Sequence, residues 1–354
     1  MAEFAGDYDL QYVHIRNHRG EGLNGTDGEN ISNMVVELNV YESLYNHAIT
    51  GSLVIADTKN LISNLPIQGT ERLSFRLATK LDSYSHESSI DFTEETGNPM
   101  HVYKLTNKEQ PNDTTQTYTL HFCSKEFLRN MRTKVSKSYS GRMDEAVNSI
   151  FKDPEYLASK KKLFFQKTRN QDKVVIPNIT PIDAIKMLAK RSLPSNLADS
   201  GGAGYLFYET TKGFHFRSWE SLCVTKNGEQ VKPKQRFRYI QVPVDRVGHE
   251  VLEEKGNKLD KIMEGFQSVE QYQFLNNFHD VATNTTLGTY GHTVITHNLY
   301  DKSYKKDKYH YHNSFQKTGH VDNNGGYNAS ARYTTSNPII VETPVDYDTV
   351  EGDT

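Results

Sequence analysis

The sequence predicts a mainly β protein with helical insertions, an α+β chain whose elements run in the order β, α, β. The 354 residues are polar, with a mean hydropathy of −0.70 and 36% hydrophobic residues, yet they include 21 Tyr and 16 Phe. Such a composition is typical of pleated, half-solvated sheets. Apolar residues alternate with period two before residue 124, and a helical period with cap residues replaces this alternation up to about residue 192.

Period-two alternation predicts the strands of the first region. Residues 8–16 alternate, Ser52–Ala56 forms a returning strand, and Pro66 and Gly69 lie in a turn that precedes another strand. Two more strands are predicted at Val102–Thr106 and Gln116–Cys123. The positions predicted to face a dry side are Met34, Val36, Leu38 and Val40 in one strand and Leu73, Phe75 and Leu77 in another.

Three capped helices are predicted after residue 123. The clearest has Thr180 as N-cap, Pro181 at the first helical position and Asp183 in the first turn. Ser124 and Ser140 are predicted to cap the other two. The predicted apolar stripes are Phe127, Leu128, Met131 and Val135, then Met143, Ala146, Val147, Ile150 and Phe151, then Ile182, Ile185, Leu188 and Ala189.

A second β region follows, which we expect to form a small barrel or sandwich. Its elements are a hairpin at Tyr205–Trp219, strands at Arg236–Val244 and His292–Asp301, and a helix at Leu259–Phe278 between them. Beyond Lys305 the sequence is polar, and only Pro338–Val345 has the pattern of a strand.

Charge and cysteine usage exclude several classes. A net charge of −3 argues against a generic nucleic-acid binder. Cys123 and Cys223 lie far apart in no CxxC motif, which predicts buried free thiols rather than a zinc ribbon or disulfide framework. No basic leader and no 18-residue apolar run occur, so we expect a soluble chain made in a cytoplasm, without membrane insertion.

No motif predicts a catalytic, cofactor-binding or metal site. His310 and His312 share a strand face but lack a third ligand at a recognisable spacing. Gly201, Gly202 and Gly204 precede a strand rather than the helix that phosphate loops require. No GxSxG or HExxH occurs, and no carboxylate pair stands out. The run Lys160–Lys162 is interpreted as a solvated face, with contact to an acidic partner as the alternative.

Three blocks carry a resemblance to a known family. The stretch "VYESLYNHAITGSLVIADTKNLISNLPIQGTERLSF" (Val40–Phe75) resembles the baseplate hub subunit of contractile-tailed bacteriophages of the T-even type. A second block, Ile179–Ser192 with Gly204–Leu222, is also similar to type VI secretion spike hub proteins, and Gly288–Tyr304 is a weaker third. The positions that match the motif are Tyr41, Glu42, Gly51, Asp57, Asn60, Leu61, Leu65, Pro66, Ile67, Gly69 and Glu71.

The resemblance implies a fold of two similar tube-protein-like antiparallel β-barrels, joined and decorated by helices. On this interpretation residues 1–123 form the first barrel domain and residues 124–200 a helical connecting region. Residues 201–304 form the second barrel domain, and residues 305–354 a polar, partly flexible C-terminal extension.

The resemblance also implies a structural, non-enzymatic role without cofactors. We expect a homotrimeric ring in the virion tail baseplate, assembled in the host cytoplasm, that adapts a threefold central spike to the sixfold tail tube. Its other expected partners are tube-initiator proteins, inner baseplate (wedge) proteins, the tape measure protein and DNA in transit through a bore that is not strongly basic. The alternatives are the spike hub of a secretion or tailocin-like system and a cell-wall-degrading tail enzyme.

Overall fold

A computed structural model describes residues 8–22, 28–65, 67–79, 89–112, 114–169, 171–195, 204–223, 280–298, 302–315 and 339–343, with isolated positions between 237 and 273. These residues fall into two compact units. The first contains the described residues up to 195 together with 204–218, and the second contains those of 219–223 and from 280 onward.

An antiparallel eight-stranded sheet dominates the first unit. Along the sheet the order is β2-β1-β5-β7-β8-β4-β3, and β6 pairs with β5. The strands are β1 Tyr8–Arg16, β2 Glu29–Asn30, β3 Val35–Tyr41, β4 Thr50–Asp57, β5 Arg72–Thr79, β6 Ile90–Phe92, β7 Met100–Asn112 and β8 Thr115–Cys123. The predicted mainly β, antiparallel fold class is confirmed. The described strands form open sheets and no closed barrel, so the two-barrel part of the prediction is not confirmed.

The strand β3 begins with a β-bulge. Val35 pairs with Ile55 but Glu37 pairs with Val54, so the register shifts across Val36. Val36 is 64% exposed as a result, whereas Val35 packs against the core on the other side of the bulge. The prediction that Val36 faces the dry side is therefore wrong, because one extra residue reverses the alternation on which it depended.

The core of this sheet brings side chains from β1, β4, β5, β7 and β8 together. Phe75 and Phe122 meet edge to face, with ring centroids 5.5 Å apart, and both are fully buried. Gly51 lies directly against the Phe122 ring, and an added Cβ would overlap both that ring and the backbone carbonyl of Asn39. The backbone of β4 can approach its neighbours this closely because residue 51 has no side chain.

A second core in the same unit is built from helices and two smaller sheets. Strand β11 pairs with β9 antiparallel, and β13 lies between β12 and β10. The short α1 Leu61–Asn64 belongs to the first core, into which it buries Leu61. The elements that follow β8 in this unit are α2 Lys125–Arg132, β9 Val135–Arg142, α3 Met143–Lys152, β10 Leu163–Phe165, β11 Gln171–Ile179, α4 Pro181–Arg191, β12 Tyr205–Thr210 and β13 Gly213–Ser218.

The α4 helix and the following hairpin match their predictions. The Thr180 hydroxyl accepts a hydrogen bond from the backbone N–H of Asp183 at 3.4 Å and donates to the Asp183 carboxylate at 2.6 Å. Asp183 is thus a helix-start carboxylate. The predicted core residues of this helix are buried: Ile182, Ile185, Leu188 and Ala189.

The strands β9, β10 and β11 were not predicted. Ser140 and Val135 lie in β9, so Ser140 does not cap α3, whose N-cap position is Arg142. Ser124 does occupy the N-cap position of α2, but its side chain makes no capping hydrogen bond. Strand β9 is mostly polar and exposed, and it lacks the alternation that identifies a strand in sequence. Strand β11, its partner, does alternate, with Val174 and Ile176 buried between exposed residues, so its sequence carried a strand signal that the prediction missed.

The second unit contains a three-stranded sheet of order β15-β14-β16. Its elements, together with the helices around them, are α5 Glu220–Cys223, α6 Val281–Thr286, β14 Gly291–Asn298, β15 Tyr304–His310, α7 Tyr311–Phe315 and β16 Ile339–Thr343. Strands β14 and β16 were predicted; β15 was not, because nearly all its residues are polar and exposed. The predicted Arg236–Val244 strand and Leu259–Phe278 helix lie outside the continuously described residues. Among the described helices, none is long and apolar enough to cross a bilayer.

We predict that Gly51→Ala destabilises the first unit by about 3 kcal/mol, the upper range for overpacking a core. The added methyl group would overlap Phe122 and the Asn39 carbonyl. The control is Gly97→Ala: an added Cβ meets open space there, but φ is +73°, so only about 1 kcal/mol of backbone strain is expected. Urea denaturation of both variants measures the difference, and equal losses would contradict the close approach.

Candidate functional site

The best-matched part of the family resemblance folds into a loop between β4 and β5, held by a buried carboxylate at each end. At its start, Asp57 accepts hydrogen bonds from the backbone N–H groups of Lys59 at 2.9 Å and Leu61 at 2.6 Å. Asn60 lies between them in the left-handed conformation, with φ of 51°, and begins the short helix α1. The tight turn satisfies donors that would otherwise be buried without partners.

Glu71 holds the other end of the loop. Its carboxylate accepts from three consecutive backbone N–H groups: Gln68 at 2.6 Å, Gly69 at 2.8 Å and Thr70 at 3.0 Å. Gly69 adopts a φ of +90°, which permits the chain to fold around the carboxylate. Both Asp57 and Glu71 are 1% exposed, so these acids are structural acceptors rather than solvent-facing groups.

The two carboxylates share a neighbour. The Tyr118 hydroxyl donates to Asp57 at 3.2 Å. Burial raises the pKa of Tyr118, and the charge and hydrogen bond of Asp57 and the charge of Glu71 raise it further. The phenol therefore remains a hydrogen-bond donor at every physiological pH.

The remaining motif residues lie partly within this loop and partly on the strands that precede it. Leu61 is fully buried in α1, and Gly51 lies within β4. Tyr41 ends β3 and Glu42 follows it, both exposed. Pro66 lies outside the described residues. The motif therefore combines a folding element, the loop from Asp57 to Glu71, with a surface element at the end of β3.

A buried ion triad joins the two cores of the first unit. The Lys161 ammonium donates to Glu209 at 2.6 Å and to Glu126 at 3.0 Å. Glu126 also accepts from the Ser159 hydroxyl at 2.5 Å, and Glu209 accepts from the backbone N–H of Ile49 at 2.8 Å. These contacts connect α2, the segment after α3, β12 and the residue before β4.

The electrostatics of the triad favour the charged lysine. Burial lowers the pKa of Lys161, but the charges of Glu126 and Glu209 and their hydrogen bonds outweigh it, so the net pKa lies above its ordinary value. Burial raises the pKa of Glu209, and the Lys161 charge offsets this only in part. Glu209 therefore depends on the Lys161 ammonium to remain ionised in the interior.

Sequence reasoning missed this triad. The run Lys160–Lys162 was interpreted as a solvated face, but the Lys161 side chain is only 10% exposed. Its partners lie 35 and 48 positions away along the chain. No spacing in the sequence predicts such contacts, because they follow from packing between the two cores.

The outer edge of β3 is the exposed surface nearest the motif. Within the described residues β3 ends the sheet and pairs only with β4. Val36 is 64% and Tyr41 53% exposed along it. Strands at the end of a sheet present unpaired backbone N–H and C=O groups, and apolar side chains beside them favour pairing with another chain.

Within the described residues, the thiols and potential metal ligands form no reactive centre. Cys123 and Cys223 are both buried and free, as predicted. Burial, and then the Glu209 charge, raises the pKa of the Cys123 thiol to about 12, so the thiolate is not formed near neutrality. Among the described residues, no group of three or more His, Cys, Asp and Glu side chains could hold a metal ion.

Comparisons with known proteins found neighbours among solved structures only; no protein-family model and no curated protein sequence matches the chain. The chain is similar to the tail protein from Neisseria meningitidis MC58, with 9% identity, a TM-score of 0.46, and coverage of 98% of this chain and 74% of that one. It is similar to the 43 kDa tail protein of prophage MuSo2 from Shewanella oneidensis, with 10% identity, a TM-score of 0.37, and coverage of 58% and 52%.

A third neighbour is the E. coli c3393 protein, a component of the type VI secretion system, with 7% identity, a TM-score of 0.33, and coverage of 67% and 52%. The chain thus spans about half the length of the Shewanella and E. coli proteins. The neighbours are phage tail proteins and type VI secretion proteins, the classes that the sequence resembles. With each of these TM-scores below 0.5, the functional proposal depends on the residues of this chain.

We predict that Glu71→Ala lowers the free energy of unfolding by about 3 kcal/mol, because it leaves three loop N–H groups without their acceptor. Glu155→Ala is the matched control, since Glu155 is exposed. Chemical denaturation compares the two. A loss below about 0.5 kcal/mol for Glu71→Ala, the range of ordinary surface substitutions, would show that the carboxylate does not hold the loop.

We predict that Lys161→Met costs about 3–5 kcal/mol, because two buried carboxylates lose their cation. The exposed neighbour provides the control, Lys160→Met, which should leave stability nearly unchanged. The triple variant Glu126→Gln/Lys161→Met/Glu209→Gln should recover part of the loss. If it is less stable than Lys161→Met alone, charge burial is not the cause of the loss.

Proposed function

We propose that this chain is a structural baseplate hub subunit of a contractile phage tail, without enzymatic activity. It forms a homotrimeric ring that adapts a threefold central spike to the sixfold tail tube and leaves a bore for DNA. Residues 1–123 and 201–304 supply the two barrels of each subunit, and the sheets close by pairing with neighbouring subunits.

The observation that carries the proposal is the outer edge of β3, which pairs with no strand beyond β4 among the described residues. Its exposed Val36 and Tyr41 give this edge an apolar surface suited to another strand. The opposite end of the same sheet is β2, which is only two residues long, so most of β1 borders that edge. Two different edges that pair between copies make a head-to-tail contact, and such a contact generates a ring when its rotation closes.

The sequence blocks support the particular class of assembly. The loop between β4 and β5 carries the motif of the baseplate hub family, and its buried acids hold it in a fixed shape next to β4, the strand that pairs with β3. A rigid neighbour keeps the edge strand in register for pairing. On this proposal the motif serves assembly geometry and not chemistry.

The partners follow from the position of such a ring. A hub contacts the central spike on one side and the tail tube or tube-initiator proteins on the other, with inner wedge proteins around it. The tape measure protein and DNA pass through its bore. The location is the tail baseplate of the virion, reached after assembly in the host cytoplasm.

We predict that Val36→Lys/Tyr41→Lys raises the dissociation constant of the subunit assembly by about tenfold or more, equivalent to at least about 1.4 kcal/mol. Two ammonium groups on the edge oppose strand pairing through desolvation and repulsion. Light scattering over a concentration series measures the assembly, and a wild-type trimer with a six-lobed ring in negative-stain images is expected.

The control for this experiment is Val175→Lys, which changes another valine that is 71% exposed, on β11. It should leave the trimer intact. A wild-type chain that stays monomeric at all concentrations would reject self-assembly through this edge. If Val175→Lys weakens the assembly as much as Val36→Lys/Tyr41→Lys does, the interface does not lie at the edge of β3.

A further inference from the structure

A polar cavity of about 200 Å³ lies in the first unit beside the ion triad. Its walls come from β5, the loop between β6 and β7, the start of β7, the start of α2 and the segment before β10. Its charged lining residues are Arg72, Glu94, Lys125, Glu126, Lys160 and Lys161. A single water needs about 15 Å³ of such volume, so a small ion with several waters fits.

The lining carries more positive than negative charge. Four cations face two carboxylates, and both carboxylates are already engaged: Glu94 with Arg72 at 3.5 Å, and Glu126 with Lys161 at 3.0 Å. Lys125 and Lys160 are exposed, and no ion pair to either is found within the part of the chain that the structure describes. Two ammonium groups therefore remain available at the cavity.

His101 lies among these charges in the wall of the cavity. Burial is the largest cause that lowers the pKa of His101 to about 4; the charges of Arg72 and Lys125 also lower it, while those of Glu94 and Glu126 act in the opposite direction. The cations thus outweigh the acids at the wall of the cavity. His101 is neutral at pH 7, and its ring can act as a hydrogen-bond donor or acceptor.

We propose that this cavity binds a compact dianionic oxyanion, phosphate or a similar tetrahedral group, between Lys125, Lys160 and Arg72. Ammonium and guanidinium groups make charge-assisted hydrogen bonds to such oxygens, and a doubly charged ion matches two unpaired cations. This ligand site goes beyond the assembly function and does not depend on it. A carboxylate offers the same oxygen chemistry with one charge, so the test separates the two.

The first measurement is the pKa of His101 in the full chain by NMR, in sulfate and in chloride at equal ionic strength. Sulfate keeps two charges through the acid range. An anion in the cavity binds more tightly when His101 is protonated, so by linkage it raises the pKa of His101. We expect a rise of about one unit or more, which corresponds to tenfold tighter binding to the protonated form. The variant His101→Gln assigns the resonance.

The second measurement is phosphate binding at pH 7 by calorimetry. Lys125→Gln/Lys160→Gln should weaken it at least tenfold and abolish the sulfate effect on His101. Lys152→Gln/Lys167→Gln removes the same charge from exposed lysines that do not line the cavity and should change neither readout.

Three results would overturn the proposal. A His101 pKa that is equal in sulfate and in chloride would show that the anions only screen the charges and that neither binds in the cavity. Equal effects of the two double variants would show that net charge and not the cavity attracts the ion. Acetate that binds as tightly as phosphate would assign the cavity to a single carboxylate. Because none of these readouts requires subunit assembly, the outcome is independent of the trimer test.

Discussion

The buried ion pairs of Lys161 are the contacts on which the packing of the two cores of the first unit depends. A buried ammonium is tolerated only where carboxylates surround it. Glu126 comes from α2, which follows the large sheet, and Glu209 comes from β12 of the second core. Glu209 in turn binds the backbone of Ile49 next to β4. The two cores must therefore approach each other in one arrangement, because any other leaves a buried charge unpaired.

The same logic governs the loop between β4 and β5, with backbone donors in place of a cation. Asp57 and Glu71 are buried, and each collects N–H groups from the residues around it. Each of these acids binds backbone N–H groups of its own turn, and Asp57 also accepts a hydrogen bond from Tyr118 of β8. The loop from Asp57 to Glu71 follows β4, the strand that pairs with the β3 edge on which the proposed assembly depends. The residues that stabilise the fold and those of the proposed interface therefore belong to one motif.

Exposure and burial divide the lysines of one short run between two roles. Both Lys160 and Lys161 line the cavity, but Lys161 is held in the triad, while Lys160 is exposed and outside it. Interpreted as a uniform basic patch, the run Lys160–Lys162 suggests only a solvated face. The three-dimensional arrangement instead gives one structural cation, Lys161, and one cation that is available for a ligand, Lys160. Glu126 is already hydrogen-bonded to Ser159 and Lys161, so it does not neutralise the other cations of the cavity.

The sequence by itself determined the elements whose signal is local. Alternation located β1, β4, β5, β7 and β8, and the cap chemistry of Thr180, Pro181 and Asp183 located α4 within a residue. The turn predicted at Gly69 is also found, directly before β5. Only the tertiary structure decided the bulge at Val36, the pairing of β9 with β11 and of β15 with β14, the Lys161 triad and the charge of the cavity. Each of these depends on groups far apart in the chain, and burial and electrostatics act through space, where the order of residues carries no signal.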